Sequence, residues 1–194
     1  MRNIIGAKTN FRSVNTYANR GMNLEADIEA SNIFYLNNDI AVVYKKPTPI
    51  TIAKVNYPSR SQAVIREAFF KTPSTTDYNG IYKGKYIDFD AKEVNSKTSF
   101  PLQNVHEHQL KHLRAIYKHG GIGFLIIRFI PINKTFFLSI EKIDKFIKEN
   151  SRKSIPIDYF LEEGHLIVDK YNPRVDYISI INKYYFGGSK WKIY

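Results

Sequence analysis

The stretch Tyr86-Ile87-Asp88-Phe89-Asp90-Ala91-Lys92 constrains this chain more than any other. Side chains on a strand alternate between faces. Ile87, Phe89 and Ala91 therefore fall on one side, and Asp88, Asp90 and Lys92 on the other. Such a strand needs a core under one face and a use for three ionisable groups on the other. An ordinary half-buried strand with one solvated face has the same pattern, and strand geometry does not choose between Asp88 and Asp90.

A third carboxylate weighs against the ordinary reading. Asp77 lies on the preceding strand region, joined to this one by compact turns at Asn79-Gly80 and Lys83-Gly84. Asn-Gly between β-rich runs is a strong hairpin signal, so Asp77 can come near Asp90. Two carboxylates held together repel unless a cation lies between them, and hard oxygen donors suit Mg²⁺ or Mn²⁺. Lys92, two residues beyond Asp90, adds a positive charge that can stabilise developing charge on a phosphate or orient an attacking water.

The rest of the chain reads as mixed α/β. Helices are expected over Met22 to Asn37, Asn104 to His119, Glu141 to Glu149 and Tyr177 to Tyr185. Strands are expected over Ile40 to Lys45, Ile50 to Val55, Tyr86 to Val94, Ile122 to Ile130 and Phe136 to Ile140. Asn56 to Thr72 is a basic excursion between strand regions, with a helix-compatible stretch from Gln62 to Phe70. Residues 1 to 19 lack apolar periodicity and read as a flexible basic arm. The helix from Asn104 carries Leu102, Val105, Gln109, Leu113 and Ile116 on one stripe. Gln109 is its polar exception: either a buried glutamine bonded to backbone or an amide oxygen or metal-bound-water contact in a site. His108 and His112 are four apart but have no carboxylate motif beside them, which favours surface or DNA-facing histidines over a metal pair.

The formal net charge of +11, from 29 Lys+Arg against 18 Asp+Glu, points to a polyanion partner. The charge is segregated. Residues 1 to 20 hold Arg2, Lys8, Arg12 and Arg20 with no acid, and residues 41 to 71 hold six cations against Glu67 alone. The absence of cysteine excludes disulfides and cysteine-ligated zinc. No nucleophile elbow and no phosphate loop of the ATPase type is present. No apolar run approaches the roughly 20 residues of a membrane span. A soluble, cytoplasmic protein is the expectation.

Asp77 followed by Asp90-Ala91-Lys92 resembles the PD-(D/E)XK nuclease pattern. Five flanking runs resemble the RecU family far more specifically: Asn19-Arg20-Gly21-Met22, Lys45-Lys46-Pro47-Thr48-Pro49-Ile50, Tyr57-Pro58-Ser59-Arg60-Ser61, Ser74-Thr75-Thr76-Asp77-Tyr78-Asn79-Gly80 and Lys97-Thr98-Ser99-Phe100-Pro101-Leu102. The resemblance runs from about Asn19 to Phe186. It implies a restriction-endonuclease-like fold, a mixed central sheet flanked by helices. Residues 20–194 would form a single nuclease domain, with a projecting stalk inserted at about 56–72.

The resemblance also implies a homodimeric, Mg²⁺-dependent Holliday junction resolvase of recombination and repair. Mn²⁺ would be a possible substitute, and a RecA-type recombinase and a branch-migration helicase possible partners. Thr75, Asp77, Asp90 and Gln109 match the metal-holding positions, Lys92 the transition-state lysine, and Arg20, Lys45 and Arg60 basic positions implicated in DNA binding or in modulating partner proteins. Asp90 stands where many relatives carry glutamate. Two rivals remain: a junction-binding scaffold that recruits recombination proteins with little cleavage, and a nuclease for plain duplex or RNA.

Overall fold

The computed structural model describes residues 23–59, 61, 63–70 and 75–188. The basic arm, Arg20 and Arg60 lie outside them. In chain order the elements are helix α1 (Leu24–Asn37) and strands β1 (Val42–Lys45), β2 (Ile50–Asn56), β3 (Val64–Phe70), β4 (Tyr78–Tyr82), β5 (Lys85–Val94) and β6 (Ser99–Pro101). Helix α2 (Glu107–Lys118), strands β7 (Ile122–Phe129) and β8 (Lys134–Ser139) and helix α3 (Ile140–Glu149) follow. Strand β9 (Ser154–Pro156), helix α4 (Ile157–Glu162), strand β10 (His165–Ile167) and helix α5 (Tyr177–Tyr185) complete the described chain.

Six strands form one sheet in the order β1-β4-β5-β7-β8-β10. Its pairs are antiparallel except β5 with β7, which run parallel. A parallel pair needs a crossover, and the chain from β6 through α2 supplies it. The sheet therefore separates two cores. On one face Ile87, Phe89 and Ala91 of β5 meet Phe124 and Ile126 of β7, with Leu24, Ile28 and Tyr35 of α1 and Tyr177, Ile178 and Ile181 of α5. On the other, Leu125 and Ile127 of β7 pack with Leu110 and Leu113 of α2 and Ile140, Ile143 and Phe146 of α3. Strand β7 is apolar along nearly its whole length because it is covered on both faces. The expectation of a mixed sheet flanked by helices holds.

Local readings differ in two places. Asn79-Gly80 is not a turn but lies inside β4, with Gly80 opposite Val43. A Cβ there would lie 2.2 Å from the Val42 carbonyl oxygen, so the glycine serves the close approach of β1. The hairpin turn is Lys83-Gly84, with positive φ at both residues, 46° and 76°. The second difference is the stretch from Gln62 to Phe70. Its described part is strand β3, paired with β2 in a separate two-stranded sheet. The paired segment begins at Ile50, earlier than the expected excursion. The expected strand over Ile50 to Val55 is β2, and on its partner Arg66 is skipped between Glu67, opposite Lys54, and Ile65, opposite Val55, which breaks the alternation of β3. The three-residue strands β6, β9 and β10 and the short helix α4 carry too little pattern to be read beforehand.

Candidate active site

Register brings the carboxylates together. Tyr78 pairs with Phe89, so Asp77, one residue before β4, falls opposite Asp90. Helix α2 covers the ionisable face of β5, so that face is not wet: Asp88 and Asp90 are both 0% exposed. Gly123 of β7, the register partner of Asp88, permits this covering. A Cβ on it would lie 2.9 Å from the Leu113 carbonyl oxygen, so the helix backbone rests against the strand. Gln109 and His112, one turn apart on α2, are thereby lowered onto β5.

Asp90 sits at the centre of the predicted set. Gln109 Nε2 donates to its Oδ1 at 3.1 Å. Lys92 Nζ lies 2.6 Å from its Oδ2 as an ion pair, although no hydrogen-bond donor is aligned on that buried oxygen. Burial first, then a hydrogen bond shared with Asp77 and the repulsion of its charge, push the Asp90 carboxyl up to about 7, against the opposing pull of Lys92. Of the two readings its periodicity left open, Gln109 shows the backbone-bonded one: its Oε1 accepts from the His106 backbone N–H at the start of α2, 3.0 Å away, so that it is the Nε2 amide, donating to Asp90, and not the oxygen, that faces the site.

These residues fit a hard divalent cation. Two carboxyls within hydrogen-bonding reach, one with a buried oxygen lacking a donor, form a site whose charge repulsion a cation would relieve. Among the described residues, no group of three or more His, Asp or Glu side chains converges elsewhere or here. Such an ion would keep much of its shell for water and substrate, as Mg²⁺ does.

Asp88 is engaged differently. Its carboxylate receives Lys46 Nζ at 2.8 Å, Tyr86 Oη at 3.0 Å, His112 Nε2 at 3.1 Å and a short bond from Thr76 Oγ1. Four partners leave it none of the unmet capacity of Asp90. Thr75 is exposed at the edge of this network, its hydroxyl 3.3 Å from Lys46 Nζ. Lys46, Thr76 and Tyr86 were not singled out in the sequence as site residues, and His112, expected at the surface or facing DNA, instead turns inward onto buried Asp88. Tyr86 had a signal, since it shares a strand face with Asp88, and His112 follows Gln109 by one helical turn. Lys46 had no signal beyond its place in the Lys45-to-Ile50 run, because it reaches residues 29 to 42 positions away.

Of the cations matched to DNA binding, Lys45 is the one within the described residues. Its Nζ lies 2.6 Å from Glu25 and 3.2 Å from Glu29 on α1. Lys45 is thus a charged ammonium held at the surface by two acids. The exposed cations Lys54 and Arg66 lie instead on the β2–β3 hairpin.

Taken together, two carboxyls, an adjoining lysine and an amide converge at one point between β5 and α2. That set can hold a cation, orient a water and receive a phosphate. Comparison with known proteins gives the same direction. The family model for Recombination protein U matches residues 19–183. Relatives named "Holliday junction resolvase RecU" from Staphylococcus aureus strains JH9 and COL are each 52% identical over 181 residues, covering 92% of this chain and 87% of theirs. Among solved structures, the Archaeoglobus fulgidus Holliday junction resolvase Hjc covers 46% of this chain and 68% of its own at 12% identity. Its TM-score of 0.33 is too low to bear on fold or function.

Proposed function

The chain belongs to the RecU family, and on that premise we propose that it is an endonuclease that resolves four-way DNA junctions by metal-dependent phosphodiester hydrolysis. The observation that carries the chemistry is the Asp77–Asp90 pair with Lys92 against Asp90. Asp77 and Asp90 would hold the cation, with Thr75 and Gln109 at its margin. Mg²⁺, or Mn²⁺ in its place, would supply charge to the scissile phosphate and acidity to a bound water. Lys92, with its side chain 23% exposed and so reachable by substrate, would meet negative charge developing on the phosphate. Gln109 fixes the Asp90 carboxylate from the helix side. Arg20 and Arg60 remain proposed DNA contacts, and Lys45 joins them only if DNA displaces Glu25 and Glu29. The reading places the protein in the cytoplasm with its DNA, where a RecA-type recombinase and a branch-migration helicase are its proposed partners.

A synthetic four-way junction tests the assignment. Nicking with Mg²⁺ is expected, together with loss of nicking in chelator and little cutting of linear duplex at matched salt, the condition that makes affinities comparable. Junction binding without cleavage under either Mg²⁺ or Mn²⁺ would favour the scaffold instead. Equal cutting of duplex would remove the junction from the assignment.

A junction with two strands to cut suits a two-fold enzyme, and the β2–β3 hairpin supports one. Ile50, Ile52, Val55, Val64, Ile65 and Phe69 are each between 42% and 59% exposed. Val55 stands opposite Ile65, and Ile52 opposite Ala68. Exposed apolar side chains on both faces of a two-stranded sheet mark an interaction surface, and we assign it to a second copy of the chain, the hairpin acting as the stalk between two active sites. The double substitution Ile52→Asp/Ile65→Asp is expected to shift the sedimenting species from dimer to monomer. A variant that still sediments as the wild type would place the dimer contact elsewhere.

A further inference from the structure

Asp77 does not sit on a strand. Strand β4 begins at Tyr78, and Thr75, Thr76 and Asp77 precede it without regular pairing. A carboxylate that must stand at a fixed distance from Asp90 is therefore carried by a segment with no ladder of its own. One residue reaches every member of that segment. The Lys46 backbone N–H donates to the Asp77 carbonyl at 2.7 Å. Its Nζ donates to Thr75 Oγ1 at 3.3 Å, to Thr76 Oγ1 at 2.6 Å and to Asp88 Oδ2 at 2.8 Å. Thr76 Oγ1 in turn donates to Asp88 Oδ1. Asp88 is rooted in β5, two residues from Asp90, and is further fixed by His112 and Tyr86. The loop is thus tied to the strand that carries the other carboxylate.

We propose that Lys46 is a positioning residue, which clamps residues 75–77 onto Asp88 and so sets the distance between the Asp77 and Asp90 carboxyls. This rests on the reading that those two carboxyls hold the cation. Lys46 touches neither of them through its side chain, and its Nζ is occupied on the protein side. Partners behind a metal ligand commonly govern affinity by one to two orders of magnitude.

Calorimetric titration of Mn²⁺ into the full chain without DNA tests this. Wild type is expected to bind, and Asp90→Asn to lose binding. Lys46→Met should bind roughly 10-fold or more weakly, while its affinity for a four-way junction in chelator stays at the wild-type value. Removing Lys46 also strands a buried Asp88 charge, so the double variant Lys46→Met/Asp88→Asn, which deletes both charges, is measured beside it. The double variant should melt near the wild-type temperature and still bind Mn²⁺ weakly, because the Nζ ties to Thr75 and Thr76 are gone and only the backbone bond to Asp77 remains.

Three results would overturn the inference while leaving the metal reading intact. Mn²⁺ affinity unchanged in Lys46→Met would show that the loop stands without the clamp. Affinity restored in the double variant would reduce Lys46 to a counter-ion for Asp88. A loss confined to junction affinity in chelator would make Lys46 a DNA contact. Wild-type protein that binds no Mn²⁺, or Asp90→Asn that binds it as wild type does, would defeat the metal reading itself and this inference with it.

Discussion

Asp90→Asn is expected to abolish junction cleavage, by about three orders of magnitude or more, and at the same time to make the metal-free protein more stable at alkaline pH. The second effect follows from the Asp90 environment. Its carboxyl is fully buried and shares a hydrogen bond with Asp77, and it titrates near 7 rather than at the ordinary 3.8. A raised folded-state value means the folded protein holds a proton that the unfolded chain has already released. The associated stability is present below about pH 4, falls as pH rises, and is gone above about pH 7. The shift corresponds to about 4 kcal/mol at most, since each unit is worth about 1.4 kcal/mol.

Asparagine keeps the shape and an acceptor for Gln109 but has no charge to bury. In chelator, the variant should match wild type near pH 4 and melt higher at pH 8. Saturating Mg²⁺ should reverse the order at pH 8, because only wild type gains from binding it. A stability profile of Asp90→Asn that falls with pH as steeply as wild type would mean that Asp90 is not the buried proton holder. A residue whose neutralisation stabilises the fold while removing activity is there for the chemistry.

Much of this was legible because it depended on short-range periodicity. The alternation from Ile87 to Lys92 separated the core face from the ionisable face, and the helical stripe through Gln109 aimed an amide at the same face. What the alternation could not reveal was that Asp88 and Asp90 would differ. They share a face and a burial class, and strand geometry treats them alike. Their difference is made by Lys46, Thr76 and His112, which reach Asp88 from other parts of the chain. Asn79-Gly80 misled for a related reason. The dipeptide suits a turn, but the requirement at Gly80 is the passage of β1 alongside it, a tertiary contact with no local signature. Strand β3, unlike β2, was obscured by its register shift: the run through Arg66-Glu67 has no clean period of two and is compatible with a helix. The family resemblance alone drew attention to Thr75 and Arg60, and the first of these proves to lie on the Lys46 network.

Lys92→Met separates the two jobs that lysine can do. If Lys92 meets charge on the phosphate in the transition state, its loss should lower the cleavage rate at saturating junction by about 10²–10³-fold, the range seen when one such donor is removed. Its second job is electrostatic support of Asp90, whose carboxyl it holds lower than burial and Asp77 would leave it. Without Lys92 the Asp90 proton is held more tightly, and a cation must compete with it. The pH at which Mg²⁺ binds should therefore rise in the variant, and part of the lost activity should return when cleavage is measured at higher pH. Titrations of Mg²⁺ against pH, run beside single-turnover cleavage, resolve the two contributions. If raising the pH restores the full rate, Lys92 acts only through Asp90 and has no transition-state role. If the binding pH does not move, its 2.6 Å contact with Asp90 Oδ2 does not persist in solution, and the whole loss belongs to the phosphate. A partial recovery is the expected result, because the same ammonium lies against Asp90 and is still open enough to solvent for a substrate to reach it.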